Sequence, residues 1–247
     1  MNRQTRIVLI VVGGIALFLL SLGTGVLVWW LTSRPPAAQH ASSPSLNVSS
    51  PARTSEQAPL DLSPFINAEL DRGWVPGLPP ESNLAAMPRG TQEMAGVMFN
   101  IVGPVQLQGS SWRNNPWSFP KKAEGIRVER TCDKFHLLHA TRGAFPANGT
   151  VAARLVIHYE DGTDEALQIR AGEHLLNWIA APEKVPTDTN TVLAWTGDNS
   201  VSVQRGEKIR IWRTTFGNPH VDKKVVSLDY ASALASCGPL LLGVTVE

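Results

Sequence analysis

The chain has 247 residues, of which 43% are hydrophobic and 17% are charged. This composition is too apolar and too weakly charged for a chain that is disordered throughout. Three of the 22 Lys and Arg residues, Arg3, Arg6 and Arg34, precede residue 35, which leaves 19 basic against 21 acidic residues in the remainder. Nucleic acid binding normally requires a basic face. A nucleic acid partner is therefore not expected.

Residues 7–31 form an uncharged apolar segment of 25 residues. About 20 apolar residues span a bilayer core as a helix, and tryptophans such as Trp29 and Trp30 favour the membrane interface. A cleaved signal peptide is the alternative, but its apolar region is about 7–15 residues long and is followed by a small-residue cleavage site. The segment therefore predicts a retained transmembrane helix in contact with membrane lipid.

The flanking charges predict the orientation of this helix. Arg3 and Arg6 precede it, whereas Arg34 is the only basic residue close behind it. Basic flanks stay on the cytoplasmic side. We therefore expect a single-pass membrane protein with a cytoplasmic stub, residues 1–6, and an extracytoplasmic C-terminal domain in the periplasm or at the cell surface.

A linker is predicted between the helix and this domain. Pro, Ser and Ala fill 17 of the 29 positions in residues 32–60. Such a segment buries too little apolar surface to offset its chain entropy, and its prolines favour an extended tether.

The remaining residues, 61–247, show the pattern of many short strands. In Val151–Tyr159, alternate residues are apolar, and the Asp161-Gly162 dipeptide that follows favours a hairpin turn. Further strands are predicted at Val97–Val102, Ile126–Arg130, Lys134–His139, Ala166–Arg170, Val192–Trp195, Ile209–Arg213, Val225–Tyr230 and Leu240–Val246. A short helix is expected only near Pro64–Leu70. This pattern predicts an all-β domain, a jelly-roll β-sandwich.

Several short segments of this domain resemble, in order, a bacterial jelly-roll module. They are Phe65-Ile-Asn67, Met87-Pro-Arg-Gly90, Gly96–Ile101, Leu137–Ala140, Tyr159–Gly162, Asn177-Trp178, Ala194–Gly197, Asn218-Pro219 and Leu241–Glu247. The module is similar to galactose-binding-like, carbohydrate-binding domains attached to envelope proteins. The resemblance implies the fold and a glycan ligand, and it implies no catalytic site.

A polar segment rich in tryptophan is the best candidate for a binding loop. Indole faces suit the C–H faces of sugars, and amide and guanidinium groups can bind hydroxyls. Loops on a rigid scaffold commonly carry such residues. The candidates are Trp112, Arg113, Asn114, Asn115 and Trp117, with Asn218 and His220 in a second loop. The alternative is that the two indoles only cover an edge of the sandwich. Trp178 and Trp195 lie in apolar runs and are expected in the core.

The two cysteines, Cys132 and Cys237, are candidates for a disulfide, because an extracytoplasmic compartment permits oxidation and both could lie at one end of the sandwich. Two buried free thiols are the alternative.

No residue pattern predicts a metal, a cofactor or a catalytic site. His136 and His139 lie three apart in a predicted strand, so they point to opposite faces. Glu160, Asp161, Asp164 and Glu165 are interpreted as a solvated hairpin tip rather than as the carboxylates of a glycosidase. We therefore expect a membrane-anchored, extracytoplasmic, non-catalytic module that recognises carbohydrate. The alternative is a protein–protein interaction module in an envelope signalling or assembly complex.

Overall fold

A computed structural model of the chain describes residues 56–75, 78–112 and 119–247. These residues form thirteen strands, and every pairing between them is antiparallel. The strands are β1 (Ala58–Pro59), β2 (Gly90–Met94), β3 (Val97–Ile101), β4 (Val105–Gln106), β5 (Lys122–Arg130), β6 (Lys134–Gly143), β7 (Val151–Tyr159), β8 (Asp164–Arg170), β9 (Ile179–Ala180), β10 (Thr191–Gly197), β11 (Lys208–Gly217), β12 (Val225–Ser232) and β13 (Cys237–Val246).

The strands form two large sheets and one hairpin. The first sheet has seven strands in the order β1-β13-β6-β11-β10, with β4 also paired to β13 and β9 to β11. The second sheet has the order β5-β12-β7-β8, and β2 pairs with β3. The prediction of an all-β domain with packed sheets is confirmed.

Two apolar cores lie on opposite faces of the seven-stranded sheet. The first core lies between the two large sheets and includes Leu137 of β6, Leu155 of β7 and Leu228 of β12. The second core includes Leu138 of β6, and the β2–β3 hairpin covers it with Phe99. Strand β6 alternates between the two cores because successive side chains of a strand point to opposite faces.

All nine predicted strands are present, and most extend beyond their predicted bounds. The turn between β7 and β8 contains Asp161 and Gly162, and Gly162 has a φ of +82°. Ala153, Leu155, Ile157 and Tyr159 share the first core, as the alternation predicts.

The expected helix near Pro64–Leu70 is instead one short 3-10 turn, Ser63–Phe65. Ile66 is extended, and the Asn67 side chain bonds both the backbone N–H and the backbone carbonyl of Gln106 at 2.9 Å. These bonds hold Asn67 against β4, so the chain does not continue as a helix.

Two further helical segments lie outside the predicted positions. They are a 3-10 turn, Ser110–Trp112, and the helix α1, Ser200–Arg205. The Asn199 side chain caps α1 by accepting a hydrogen bond from the backbone of Ser202.

The seven-stranded sheet begins inside the segment 32–60 that the sequence predicts to be a linker. Ala58 and Pro59 form β1 and pair with Val246 and Thr245. The described residues contain no helix that is long and apolar enough to cross a membrane. The predicted transmembrane helix, residues 7–31, lies outside the described residues, as does most of the predicted linker.

The two cysteines are buried free thiols, so the structure has the second of the two alternatives. Cys237 pairs with Gly143 at one end of β6, whereas Cys132 precedes Lys134 at the other end. About nine residues of strand, at roughly 3.3 Å each, separate these ends by about 30 Å. A disulfide requires Cα atoms within about 7 Å. The expectation that both cysteines lie at one end is therefore wrong.

We predict that neither thiol reacts with a thiol reagent while the protein is folded. Burial raises the pKa of Cys132 and of Cys237 to about 11, so little reactive thiolate forms at pH 8. Titration should find no accessible thiol in the native protein and two in denaturant without reductant. Detection of fewer than two thiols in denaturant would contradict the prediction.

Candidate functional site

A buried arginine, Arg142, lies near the end of β6 on the face that carries the second core. Its side chain is 1% exposed. The guanidinium carbon lies 4.3 Å from the ring centroid of Trp74 and 3.9 Å from that of Trp178. The two indole planes are inclined by 49° to each other, and the guanidinium contacts both rings. Attraction between a cation and an aromatic face holds the guanidinium in this position.

The positions of both indoles are fixed by strands of the seven-stranded sheet. The Trp74 indole N–H donates to the side-chain oxygen of Gln106 in β4 at 3.2 Å. The Trp178 backbone N–H donates to the carbonyl of Thr141, the neighbour of Arg142 in β6, at 2.9 Å. The three side chains are therefore held by the sheet rather than by a free loop.

Most hydrogen-bond donors of Arg142 have no partner. Its Nη2 donates to the Ser82 hydroxyl at 3.0 Å and contacts the Ser82 carbonyl at 3.4 Å. Nε and Nη1 are buried and make no hydrogen bond with any residue that the structure describes. An unpaired buried donor costs about 1–3 kcal/mol, and a charged one costs more.

Arg142 also lacks a counter-charge. No acidic side chain among the described residues forms an ion pair with it, and burial alone lowers the pKa of its guanidinium to about 9. A group with this pKa remains largely protonated at neutral pH. The fold therefore holds a positive charge in the protein interior without a carboxylate beside it.

Arg142 lines a cavity of about 290 Å³ at this end of the sheet. Its lining combines aliphatic side chains with aromatic, hydroxyl, amide and cationic ones. The aliphatic residues are Val75, Leu78, Ile179 and Val201, and the others are Ser82, Trp112, Asn177, Trp178 and Arg205. A larger hollow of about 780 Å³ shares Val75 and Leu78 with this cavity and is lined by Trp74 and Phe119. We refer to the smaller space as the Arg142 cavity.

Trp112, a predicted binding residue, is half-buried and lies against backbone at the wall of the Arg142 cavity. A Cβ added at Gly238 would lie 2.1 Å from the Trp112 ring and 2.6 Å from the Leu107 carbonyl. A Cβ added at Gly143 would lie 3.0 Å from the same ring. Glycine at both positions leaves space for the indole. Phe119 packs on the ring with a centroid distance of 5.7 Å.

The other predicted binding residues do not join this cavity in the structure. Arg113, Asn114, Asn115 and Trp117 lie outside the described residues. Asn218 and His220 follow β11, whose Gly217 pairs with Lys134, at the opposite end of β6 from Gly143. The structure therefore separates Trp112 from Asn218 and His220 by about 30 Å of strand.

Asn218 and His220 have local contacts at that opposite end. The Asn218 amide accepts a hydrogen bond from the Tyr159 hydroxyl at 2.6 Å and donates to the Cys132 carbonyl at 2.8 Å. The His220 ring packs edge-on against Tyr159 and lies 3.4 Å from a Glu165 oxygen. Asn218 thus connects β7, β11 and the start of β6, and has a structural role.

His136 and His139 lie on opposite faces of β6, as predicted. His139 is fully buried, with Nε2 2.8 Å from the Thr214 hydroxyl. Burial lowers the pKa of His139 to about 3, so its ring is neutral. His136 has Nδ1 2.9 Å from the Thr215 hydroxyl. Both rings thus have partners within the fold.

The acidic residues around the β7–β8 turn face basic side chains rather than one another. Glu160 pairs with Lys224 at 3.0 Å, and Asp161 with Lys223 at 2.7 Å. The hydrogen bond with Lys223 is the largest cause that lowers the pKa of Asp161. A glycosidase acid needs a raised pKa. The interpretation of this segment as a solvated, ion-paired turn agrees with these contacts.

Comparison of the chain with protein-family models, with curated proteins and with solved structures finds no match. The functional interpretation therefore depends on the geometry of the Arg142 cavity and on the sequence.

We predict that His158, on the outer face of the second sheet, stabilises the fold more at acidic than at alkaline pH. Burial opposes its charged form, but contacts with Asp164 at 2.8 Å and Asp229 at 3.3 Å outweigh burial and raise its pKa. A raised pKa in the folded state gives stability that is present below the unfolded value, about 6.5, and is lost as pH rises through the folded value. His158→Gln should therefore cost more unfolding free energy at pH 5.5 than at pH 8.5.

Urea unfolding at the two pH values measures this difference. Arg154→Gln provides the control, because Arg154 is exposed on the same face of β7. Equal costs of His158→Gln at both pH values would contradict the prediction.

Proposed function

We propose that this protein is a non-catalytic carbohydrate-recognition module held at a membrane by residues 7–31. The observation that carries the proposal is the Arg142 cavity, where Trp112, Trp178 and Asn177 line one small space. Small-molecule sites are typically apolar and aromatic, with a few polar groups that set orientation. Indole faces can pack on the C–H faces of a sugar, and the Asn177 amide and Arg142 guanidinium can bind its oxygens.

The strand order supports a jelly-roll fold for this module. Among β1, β5, β6, β7, β8, β11, β12 and β13, successive strands switch between the two large sheets at every step except β7 to β8. The late strand β13 lies between β1 and β6, and β12 lies between β5 and β7. Two such interlocked Greek keys define a jelly roll. The resemblance to galactose-binding-like domains accords with this order.

The sequence supports the membrane part of the proposal. Residues 7–31 act as the anchor in lipid, residues 1–6 stay in the cytoplasm, and the Pro- and Ser-rich segment after the anchor acts as a tether. The domain then lies outside the cytoplasm, where glycans of the cell envelope are accessible.

We predict that the full chain, solubilised in detergent, binds a subset of glycans on an array and that this binding depends on Trp112. Trp112→Ala should weaken binding by roughly tenfold or more, because aromatic groups commonly carry over 1 kcal/mol at a binding site. Gly238→Ala should have the same effect, because its Cβ would occupy the space of the Trp112 ring.

His220→Ala is the matched control, since His220 lies at the opposite end of the sandwich, and it should bind as the unaltered chain does. Glycan binding that survives Trp112→Ala would contradict the site. Capture of an envelope protein with no dependence on glycan would contradict the function and favour an interaction module.

We predict the topology from single cysteine additions labelled in intact bacterial cells with a membrane-impermeant maleimide. The two native thiols are buried and should stay unlabelled. Ser49→Cys, after the anchor, should be labelled, and Asn2→Cys should be labelled only after the cells are lysed. The reverse pattern would contradict the orientation, and labelling of both in intact cells would contradict the anchor.

A further inference from the structure

We propose that the ligand of the Arg142 cavity is an acidic sugar whose carboxylate pairs with Arg142. This inference rests on the proposed function and specifies the chemical class of its ligand. A uronic acid residue combines the two features that the cavity would recognise, a pyranose ring with C–H faces and a carboxylate at one edge.

The free donors of Arg142 carry the inference. Nη1 has two N–H groups and Nε has one, and neither atom has a partner. A ligand carboxylate can accept a charge-assisted hydrogen bond from Nη1, and Nε remains for a second ligand oxygen. Hydrogen bonds of this kind are about twice as strong as neutral ones.

A second buried arginine in the same sheet, Arg210, provides a comparison for the hydrogen bonds of Arg142. Arg210 in β11 is 5% exposed, and its donors bond the backbone carbonyls of Lys184, Ala180 and Ala181. Arg142 is more deeply buried, yet Ser82 is its one hydrogen-bond partner among the described residues. Both terminal nitrogens of Arg210 thus have backbone partners, whereas only Nη2 of Arg142 has a hydrogen-bond partner among the described residues.

The surroundings of Arg142 favour an anion over a neutral ligand. No carboxylate in the described part of the chain pairs with its charge. The second charged residue at the cavity, Arg205, is also basic and is exposed at the end of α1. A buried charge without a partner is costly, and a ligand of opposite charge removes that cost. Arg205 would draw the ligand toward the cavity through its field.

The size of the cavity favours a single sugar residue. Its volume, about 290 Å³, is near the lower end of the range for small-molecule sites, about 300 Å³. The adjoining hollow of about 780 Å³, with Trp74 and Phe119 in its lining, leaves room for neighbouring residues of a glycan chain.

The test measures binding of the full chain in detergent to oligosaccharides of galacturonic or glucuronic acid, to their methyl esters and to their neutral counterparts, by calorimetry. The methyl ester retains the shape and removes the charge, so it isolates the carboxylate. We expect the acid to bind about tenfold to a hundredfold more tightly than the ester, and the difference to shrink with added salt.

Two variants and one control locate the preference for the acid in the Arg142 cavity. Arg142→Gln should remove the preference for the acid, and its cooperative urea unfolding is checked first. Arg205→Gln alters only an exposed side chain and should weaken acid binding a few-fold without affecting the ester. His220→Ala should retain the full preference.

The outcomes separate this inference from the proposed function. Equal binding of acid, ester and neutral sugar, at a site that needs Trp112, would overturn the acidic ligand. It would leave the proposed carbohydrate-recognition function standing. Absence of any sugar binding would overturn both. Tighter binding of a 6-sulfated neutral sugar than of the uronic acid would overturn the assignment of a carboxylate.

Discussion

The pairing of β6 with β13 is the constraint on which the rest of the structure depends. Every residue of β13 is buried, and so is every residue of β6 between Phe135 and Arg142. These two strands lie between two apolar cores and provide one wall of each. A side chain on either strand therefore needs its partners inside the protein, because water is not available to supply them.

The polar residues of β6 show how strictly this constraint applies. The His139 ring nitrogens lie within hydrogen-bond distance of the Thr214 and Tyr230 hydroxyls. A His136 ring nitrogen lies within hydrogen-bond distance of the Thr215 hydroxyl. Arg142 and Thr141 are the exceptions in this strand. Two tryptophans cover the charge of Arg142 while its Nε and Nη1 have no hydrogen-bond partner among the described residues, and the same holds for the Thr141 hydroxyl. Among the described residues, five buried side-chain atoms have no hydrogen-bond partner, and two of them belong to Arg142. Arg142 lines the cavity, and both of its unpaired nitrogens are buried.

The strands could be predicted from the sequence because their signal is local. Alternation in Val151–Tyr159 and the Asp-Gly turn after it depend only on neighbouring residues. The burial of Arg142 could not be predicted in this way, because its covering groups, Trp74, Ser82 and Trp178, come from three separate parts of the chain. The predicted strand Lys134–His139 ends three residues before Arg142, so no sequence pattern indicated that this arginine would be buried.

The same distinction explains the results for the predicted binding residues and the cysteines. Trp112 lies at the wall of the cavity, in agreement with its place in a polar segment rich in tryptophan. Asn218 and His220 lie at the other end, because a residue that follows a strand may be at either end until the direction of that strand is known. Cys132 lies just before β6 and Cys237 begins β13, and because these two strands are antiparallel their first residues lie at opposite ends.

Strand β1 and the Arg142 cavity lie at opposite ends of the domain. Ala58 and Pro59 pair with the last two residues of β13, Val246 and Thr245, whereas the Arg142 cavity lies beside Gly238 and Gly143 at the start of β13. Nine residues of strand, about 30 Å, separate the two places. The described chain therefore enters the sandwich at the end opposite the Arg142 cavity, so β1 does not lie across the approach to that cavity.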